Sequence, residues 1–172
     1  MRSKKTENRM RISLTAAVLM GLVLCLPAAV AAGTVVRVHT VMGTFDVELF
    51  DKEAPLTVAN FLAYVTRGDW DDSFFHRTLP GFVVQGGDPR GDGYGGPGYL
   101  VPCELSSRRF VRGAVGIATA GRDTGGSQLF VTQADTPHLD GRYTIFGELR
   151  RGSAVLDAID VGDRILGVRR LD

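Results

Sequence analysis

An arginine set among aromatic and apolar residues is the first chemically suggestive feature of this sequence. Arg77 lies within Phe74-Phe75-His76-Arg77-Thr78-Leu79-Pro80-Gly81-Phe82-Val83-Val84-Gln85-Gly86-Gly87-Asp88. A guanidinium stays charged and holds its N–H donors in a rigid fork, so the chemistry open to it is donation to an acceptor, not nucleophilic attack or proton shuttling. Alone, such a residue is by default a surface or ion-paired arginine, and only its surroundings argue otherwise. Competing chemistries find less support. His39, His76 and His138 are scattered without ligand-like spacing, and no residue set implies a metal or a cofactor. Gly126-Ser127-Gln128 lacks the frame of a nucleophile elbow. Gly91, Gly93 and Gly96 satisfy a dinucleotide fingerprint formally, but Pro97-Gly98 follows where a helix would have to open. Arg90-Gly91-Asp92 is a three-residue match of the kind glycine-rich loops produce by chance.

The elements that must hold these residues read mostly as strands. Val36 and Val38 alternate with Arg37 and His39 in a run to Val41, and Met42-Gly43 reads as a tight turn into Thr44–Phe50. Pro55–Arg67 differs: Val58, Phe61, Leu62 and Val65 follow the spacing of one buried helical face, with Pro55 in the first turn and Gly68 past the end. Further strands are expected at Phe82–Gln85, Ala114–Thr119, Leu129–Thr132, Thr144–Glu148 and Arg164–Leu171, and a short helix at Ala154–Ile159. Many strands, few helices and no βαβ alternation favour an antiparallel sheet closed on itself. Gly86–Gly98, rich in glycine with Pro89 and Pro97, is expected to be a surface loop.

The 172 residues suit one domain plus a short appendage. Five of the positive residues (Arg2, Lys4, Lys5, Arg9, Arg11) crowd the start against Glu7 alone, followed by an apolar run, Ile12–Ala28, and small residues, Ala29-Val30-Ala31-Ala32. This is the pattern of a signal peptide cleaved near Ala31 to Gly33, which places the mature protein in the periplasm or otherwise outside the cytoplasm, with residues 1–32 as leader and 33–172 as the folded domain. Left uncleaved, the run is long enough to act as a membrane tether; Pro27 and the Ala-Val-Ala site favour removal. From Gly33 on, 15 Lys and Arg stand against 18 Asp and Glu, about −3, which argues against nucleic acid as a partner. With the leader gone, Cys103 is the only cysteine; it has no intrachain disulfide partner and reads as a small apolar filler. Nothing calls for more than a monomer.

Two blocks downstream complete the pattern begun around Arg77: Ala118-Thr119-Ala120-Gly121 leading to Ser127-Gln128-Leu129-Phe130-Val131, then Pro137-His138-Leu139-Asp140-Gly141-Arg142-Tyr143-Thr144-Ile145-Phe146-Gly147. In this order they resemble the cyclophilins, whose blocks are F-H-R-x-x-x-x-F-x-x-Q-G-G-D, a G-S-Q-F-F type and L-D-G-x-x-x-x-F-G. The resemblance runs from about Val35 to Leu171. It implies an eight-stranded antiparallel barrel closed by two helices, a shallow groove on the outer face, and peptidyl-prolyl cis/trans isomerase activity on extended, proline-containing polypeptides, assisting the folding of exported proteins. Position by position, Arg77 matches the catalytic arginine; Phe82, Phe130 and Leu139 match the proline pocket; Gln85 and Gln128 match polar substrate contacts; and Ala118 and Thr119 match the segment that pairs with substrate main chain. Val83 stands where many members have methionine, Thr119 where asparagine is common, His138 where some have tryptophan, and Tyr143 where others have histidine. The change at His138 implies weak cyclosporin binding.

Isomerisation explains why these residue types suffice. Rotating an X-Pro bond removes amide resonance across a barrier of about 18–20 kcal/mol and breaks no covalent bond. The twisted prolyl nitrogen regains a lone pair, so a fixed donor beside it binds the twisted state better than either planar one. The alternative on the same fold is a noncatalytic module that binds proline segments as a chaperone or assembly partner. Such a module would be free to lose the arginine, and Arg77 is present.

Overall fold

The computed structural model describes residues 33–171; the expected leader, with Cys25, lies outside them. Eight strands, β1 (Val35–Thr40), β2 (Gly43–Leu49), β3 (Ser73–Leu79), β4 (Val83–Gly86), β5 (Ala114–Ile117), β6 (Leu129–Thr132), β7 (Ile145–Arg151) and β8 (Arg164–Leu171), close into a barrel in the order β1-β2-β7-β5-β6-β4-β3-β8. Every neighbouring pair is antiparallel, from β1·β2 around to β1·β8. Two helices, α1 (Pro55–Arg67) and α2 (Ser153–Ala158), and one 3-10 turn (Pro137–Leu139) complete it.

Helix α1 forms where the apolar spacing predicts it. Val58, Phe61, Tyr64 and Val65 are buried, and the helix stops at Gly68, whose φ of 74° is left-handed. No side chain of its own caps its start. Instead the carboxylate of Glu104, far along the chain, accepts from Leu56 N (3.0 Å) and Thr57 N (2.7 Å), meeting the helix dipole with negative charge.

Inward-facing residues of the strands, among them Val36, Val47, Val84, Val115, Val131, Phe146 and Val168, form one core with the buried face of α1, Trp70 and Leu156. They fill the barrel so fully that the space left between them is about 20 Å³. A ligand has to bind outside. A second apolar cluster lies on the outer face of the same strands: Val83, Ala114, Phe130 and Ile145, covered by Phe50, Phe110 and Leu139. Because β5 and β6 are buried on both faces, their sequences show no alternation of apolar and polar residues.

The expected barrel is present, with local differences. Strand β3 is absent from the periodicity reading, because the register slips between Phe75 and Arg77 against β4 and interrupts the alternation. The first hairpin turns at Val41-Met42, one residue earlier than expected, and Gly43 already belongs to β2. Strand β5 stops at Ile117, leaving Ala118 and Thr119 beyond its end, while β7 runs on to Arg151. Phe82 sits in the turn before β4, where its N–H bonds to Leu79 O at 2.9 Å, and not on the strand. The loop expected over Gly86–Gly98 is irregular over residues 87–100, and Gly86 belongs to β4.

Candidate active site

The slip in β3 is what aims Arg77. Phe75 points inward and pairs with Gly86; two residues on, strict alternation would turn Arg77 inward as well. Instead His76 is the extra residue of a bulge, Arg77 pairs with Gln85, and both side chains emerge on the outer face. There Arg77 Nη1 donates to Gln85 Oε1 (3.1 Å), Gln85 Nε2 donates to Gln128 Oε1 (3.0 Å), and Gln128 Nε2 donates to Gly93 O (3.0 Å) and Gly95 O (2.9 Å). A guanidinium only donates and the two loop carbonyls only accept, so both ends of the chain fix which way each amide faces. The guanidinium is held from one nitrogen, and its remaining donors are exposed to the groove.

That groove, about 240 Å³, is lined by Arg77, Phe82, Val83, Gln85, Ala118, Thr119, Phe130, Leu139 and Tyr143. Its floor is Phe130, stacked on Phe110 (ring centroids 5.4 Å apart, planes at 24°) and met edge-on by Tyr143 (5.7 Å, 88°). One wall is Phe82, which stacks on His138 (5.4 Å, 23°) and faces Arg77, whose Cζ lies 5.9 Å from its ring centroid. Every residue the sequence reading singled out therefore converges on one place: nine line the groove directly, Gln128 orients Gln85, and His138 backs Phe82. At the mouth, the N–H groups of Ala118 and Ala120 are taken by Gln128 O and Thr124 Oγ1, whereas no partner for the main-chain N–H or C=O of Thr119 exists among the described residues. Thr119 is the segment's open position for an extended peptide.

Three contributors have no motif to announce them. Gly116 lies beneath the floor: a Cβ there would come within 2.5 Å of Phe130 Cζ and 2.8 Å of Phe110 Cε1, so the stack exists because position 116 has no side chain. Phe110 is fixed by main-chain bonds, its N–H donating to Asp140 Oδ1 (2.7 Å) and its C=O accepting from Thr136 N (2.7 Å). Gln133, buried, holds the turn that carries Phe82: its N–H donates to Phe82 O (2.8 Å) and its Oε1 accepts from Gly81 N (3.1 Å). A polar residue one position past the strand Leu129–Thr132 was the only signal in the sequence, and its burial shows only in the fold.

Behind Gln128 the electrostatics are set by Asp88 and His76. Burial works against the Asp88 carboxylate, but the N–H groups of Arg90, Gly93 and Gly95 together outweigh it and hold this acid below its ordinary value. Burial keeps His76 below the ordinary imidazole value, with Asp88 opposing, so the bulged residue is neutral at physiological pH.

The arrangement can grip a compact apolar ring, fix the main chain beside it, and present a rigid cation to a single acceptor atom. Comparison with known proteins agrees. Residues 35–168 match the family model described as cyclophilin type peptidyl-prolyl cis-trans isomerase/CLD. The chain is 45% identical over 133 residues to a peptidyl-prolyl cis-trans isomerase of Synechococcus elongatus, covering 76% of this chain and 92% of that one. It is 44% identical over 124 residues to peptidyl-prolyl cis-trans isomerase B of Bacillus subtilis, covering 71% and 87%. Among solved structures, a cyclophilin type peptidyl-prolyl cis-trans isomerase of Cryptosporidium parvum superposes with a TM-score of 0.77 at 32% identity, covering 81% of this chain and 98% of that one. The same protein in the presence of the dipeptide Ala-Pro gives 0.74 at 33%, covering 78% and 96%. Barrel, groove and sequence thus agree, and the chain belongs to the cyclophilin-type peptidyl-prolyl cis-trans isomerases.

Proposed function

We propose that this isomerase acts on proteins exported from the cytoplasm, and that Arg77 donates to the prolyl nitrogen as the X-Pro bond twists. The proline ring sits on Phe130 between Phe82 and Leu139, Thr119 pairs with the main chain before it, and the fixed side of the bond stays still while the other turns. Catalysis is then differential binding: Arg77 meets a lone pair that the planar amide does not offer. The single observation carrying this reading is the chain from Arg77 through Gln85 and Gln128 to Gly93 and Gly95, which holds a cation with free donors at the rim of an apolar groove. Pre-orientation matters because a donor that must reorganise during the reaction loses its advantage over water. An Ala-Pro dipeptide, the unit used with the Cryptosporidium parvum relative, is the size of ligand the groove admits. The export reading rests on the basic, apolar and small-residue succession of residues 1–32.

Two measurements test it. The isomerisation rate of a short X-Pro peptide is compared between wild type and Arg77→Ala, both shown by circular dichroism to be folded. The variant is expected to lose about 10²-fold in kcat/KM, the usual effect of deleting one transition-state donor. Equal rates would remove Arg77 from the mechanism. For the location, cells producing the full chain are fractionated and the protein's N-terminus read by mass spectrometry. Periplasmic protein starting between Ala32 and Thr34 is expected, and an intact Met1 in the cytosol would overturn the reading.

A further inference from the structure

The groove does not end at Thr119 and Tyr143. These two residues also line a second depression of about 440 Å³, whose other walls include Cys103, Leu105, Arg122 and Arg142. Here the domain, net negative from Gly33 on, turns two arginines toward one opening. Arg142 has no carboxylate within ion-pair distance among the described residues. Arg122 is 86% exposed and pairs with its chain neighbour Asp123 at 3.5 Å, a solvent-exposed contact worth little. The other oxygen of that carboxylate accepts from Cys103 N (2.9 Å). Arg142 is thus unpaired, Arg122 is met only by a weak, solvent-exposed pair, and the opening keeps a net positive charge.

We propose that Arg122 and Arg142 form a subsite for an acidic side chain preceding the proline in the substrate, resting on the isomerase reading of the adjoining groove. An extended peptide paired with the main chain at Thr119 sends successive side chains to opposite sides. Two depressions meet at Thr119 and Ala120: this one, and a larger one of about 540 Å³ running toward Gly93 and Gln128. The larger one is lined by neutral residues; the smaller carries the two cations. At roughly 3.3 Å per residue, a side chain one to four positions before the proline falls within reach of Arg122 and Arg142. The pair thus sets a preference by charge, which acts on capture of the peptide and leaves the bond rotation to Arg77.

The test uses the mature protein purified from cells producing the full chain, with peptides carrying Glu, Lys or Ala at each of the four positions before proline. At one position and low ionic strength, kcat/KM for the Glu peptide is expected to exceed that for the Lys peptide about tenfold, shrinking below about twofold in 0.5 M salt as exposed charges are screened. In Arg122→Gln/Arg142→Gln the ratio is expected to collapse at every salt concentration while the Ala peptide turns over as in wild type. Equal rates for Glu and Lys peptides at all four positions, a Glu preference surviving in the double variant, or an equal loss for the Ala peptide would each overturn the proposal. Calorimetric binding of the same peptides separates this inference from the reading beneath it: a salt-sensitive Glu preference in binding without turnover keeps the subsite and sinks the isomerase.

Discussion

Gly116→Ala is the sharpest probe of how the groove is built, because it adds one methyl group where no motif points. The added Cβ would stand 2.5 Å from Phe130 Cζ, 2.8 Å from Phe110 Cε1 and 2.9 Å from Phe130 Cε1, where ordinary contact begins at 3.4 Å. The rings must therefore retreat by roughly 1 Å, and overpacking of this kind costs about 1–3 kcal/mol. Replacing a glycine also stabilises by about 0.4–1 kcal/mol through the unfolded chain, so a net loss reports the clash itself. Phe110 is held at both ends of its peptide unit and stacks on Phe130, which leaves Phe130 one direction of escape: into the 240 Å³ groove where the proline must sit. A displacement of about 1 Å in a positioning surface costs up to 10²-fold in rate. The expected outcome is a melting midpoint lower by about 4–10 °C and kcat/KM for an X-Pro peptide lower by at least tenfold. Phe110→Leu in the same chain should return part of both, since it vacates one side of the contact. A Gly116→Ala protein that melts within about 1 °C of wild type and turns peptide within twofold would refute the claim that the floor is rigid.

Other perturbations follow from single contacts. Arg77→Lys keeps the charge but loses the fork that lets one nitrogen hold Gln85 while others face the groove, so kcat/KM should fall by about tenfold or more in the peptide assay with the fold unchanged. Gln133→Leu, similar in size, can neither accept from Gly81 N nor donate to the buried Leu156 O, so it should lower stability and also raise KM by freeing the turn carrying Phe82; unchanged KM would remove Gln133 from that role. Gly87→Ala should be severely destabilising in urea titration, because position 87 has φ of 83° and its Cβ would run into the Trp70 ring and lie 2.5 Å from Ser127 O. The depressed folded-state value of Asp88 contributes stability that is present above the unfolded carboxylate value, about 3.9, and lost as pH falls below it. Asp88→Asn should accordingly be less stable than wild type at neutral pH and show a shallower loss of melting midpoint under acid; parallel acid profiles would dismiss Asp88 as a contributor.

Sequence patterns expose the parts of this molecule that repeat regularly and hide those that break the repeat. Helix α1 was legible because Val58, Phe61 and Val65 keep a 3.6-residue period on one buried face. Strand β3 was not, because the bulge at His76 shifts the phase midway and leaves Phe75 as its one fully buried residue. The site residues were found through the order of three long blocks, not through any property visible in each alone: Phe82 and Phe130 are otherwise indistinguishable from core. What stayed hidden acts through an absence or through distance. Gly116 works by lacking a side chain, and Gln133 works by two bonds to a turn about fifty residues earlier in the chain.

The same division explains which positions of the groove tolerate change. A filled barrel forces its apolar outward residues, Val83, Ala114, Phe130 and Ile145, to be covered from outside, and segments around Phe110 and Leu139 do this only partly. The groove is where that cover ends. Its strand-borne parts, Arg77, Gln85 and Phe130, are placed by register, which fixes where each side chain emerges, so a change in any of them removes a group that no neighbour can replace. His138 and Tyr143 belong to the cover and act through ring contacts, with Phe82 and Phe130 respectively, that other planar side chains of similar size can make. Thr119 offers its main chain, which survives any side chain that leaves its conformation alone. The departures from the commoner family residues at 119, 138 and 143 therefore fall where geometry constrains side-chain identity least, so they should alter which peptides and inhibitors are held without removing the turning of the bond.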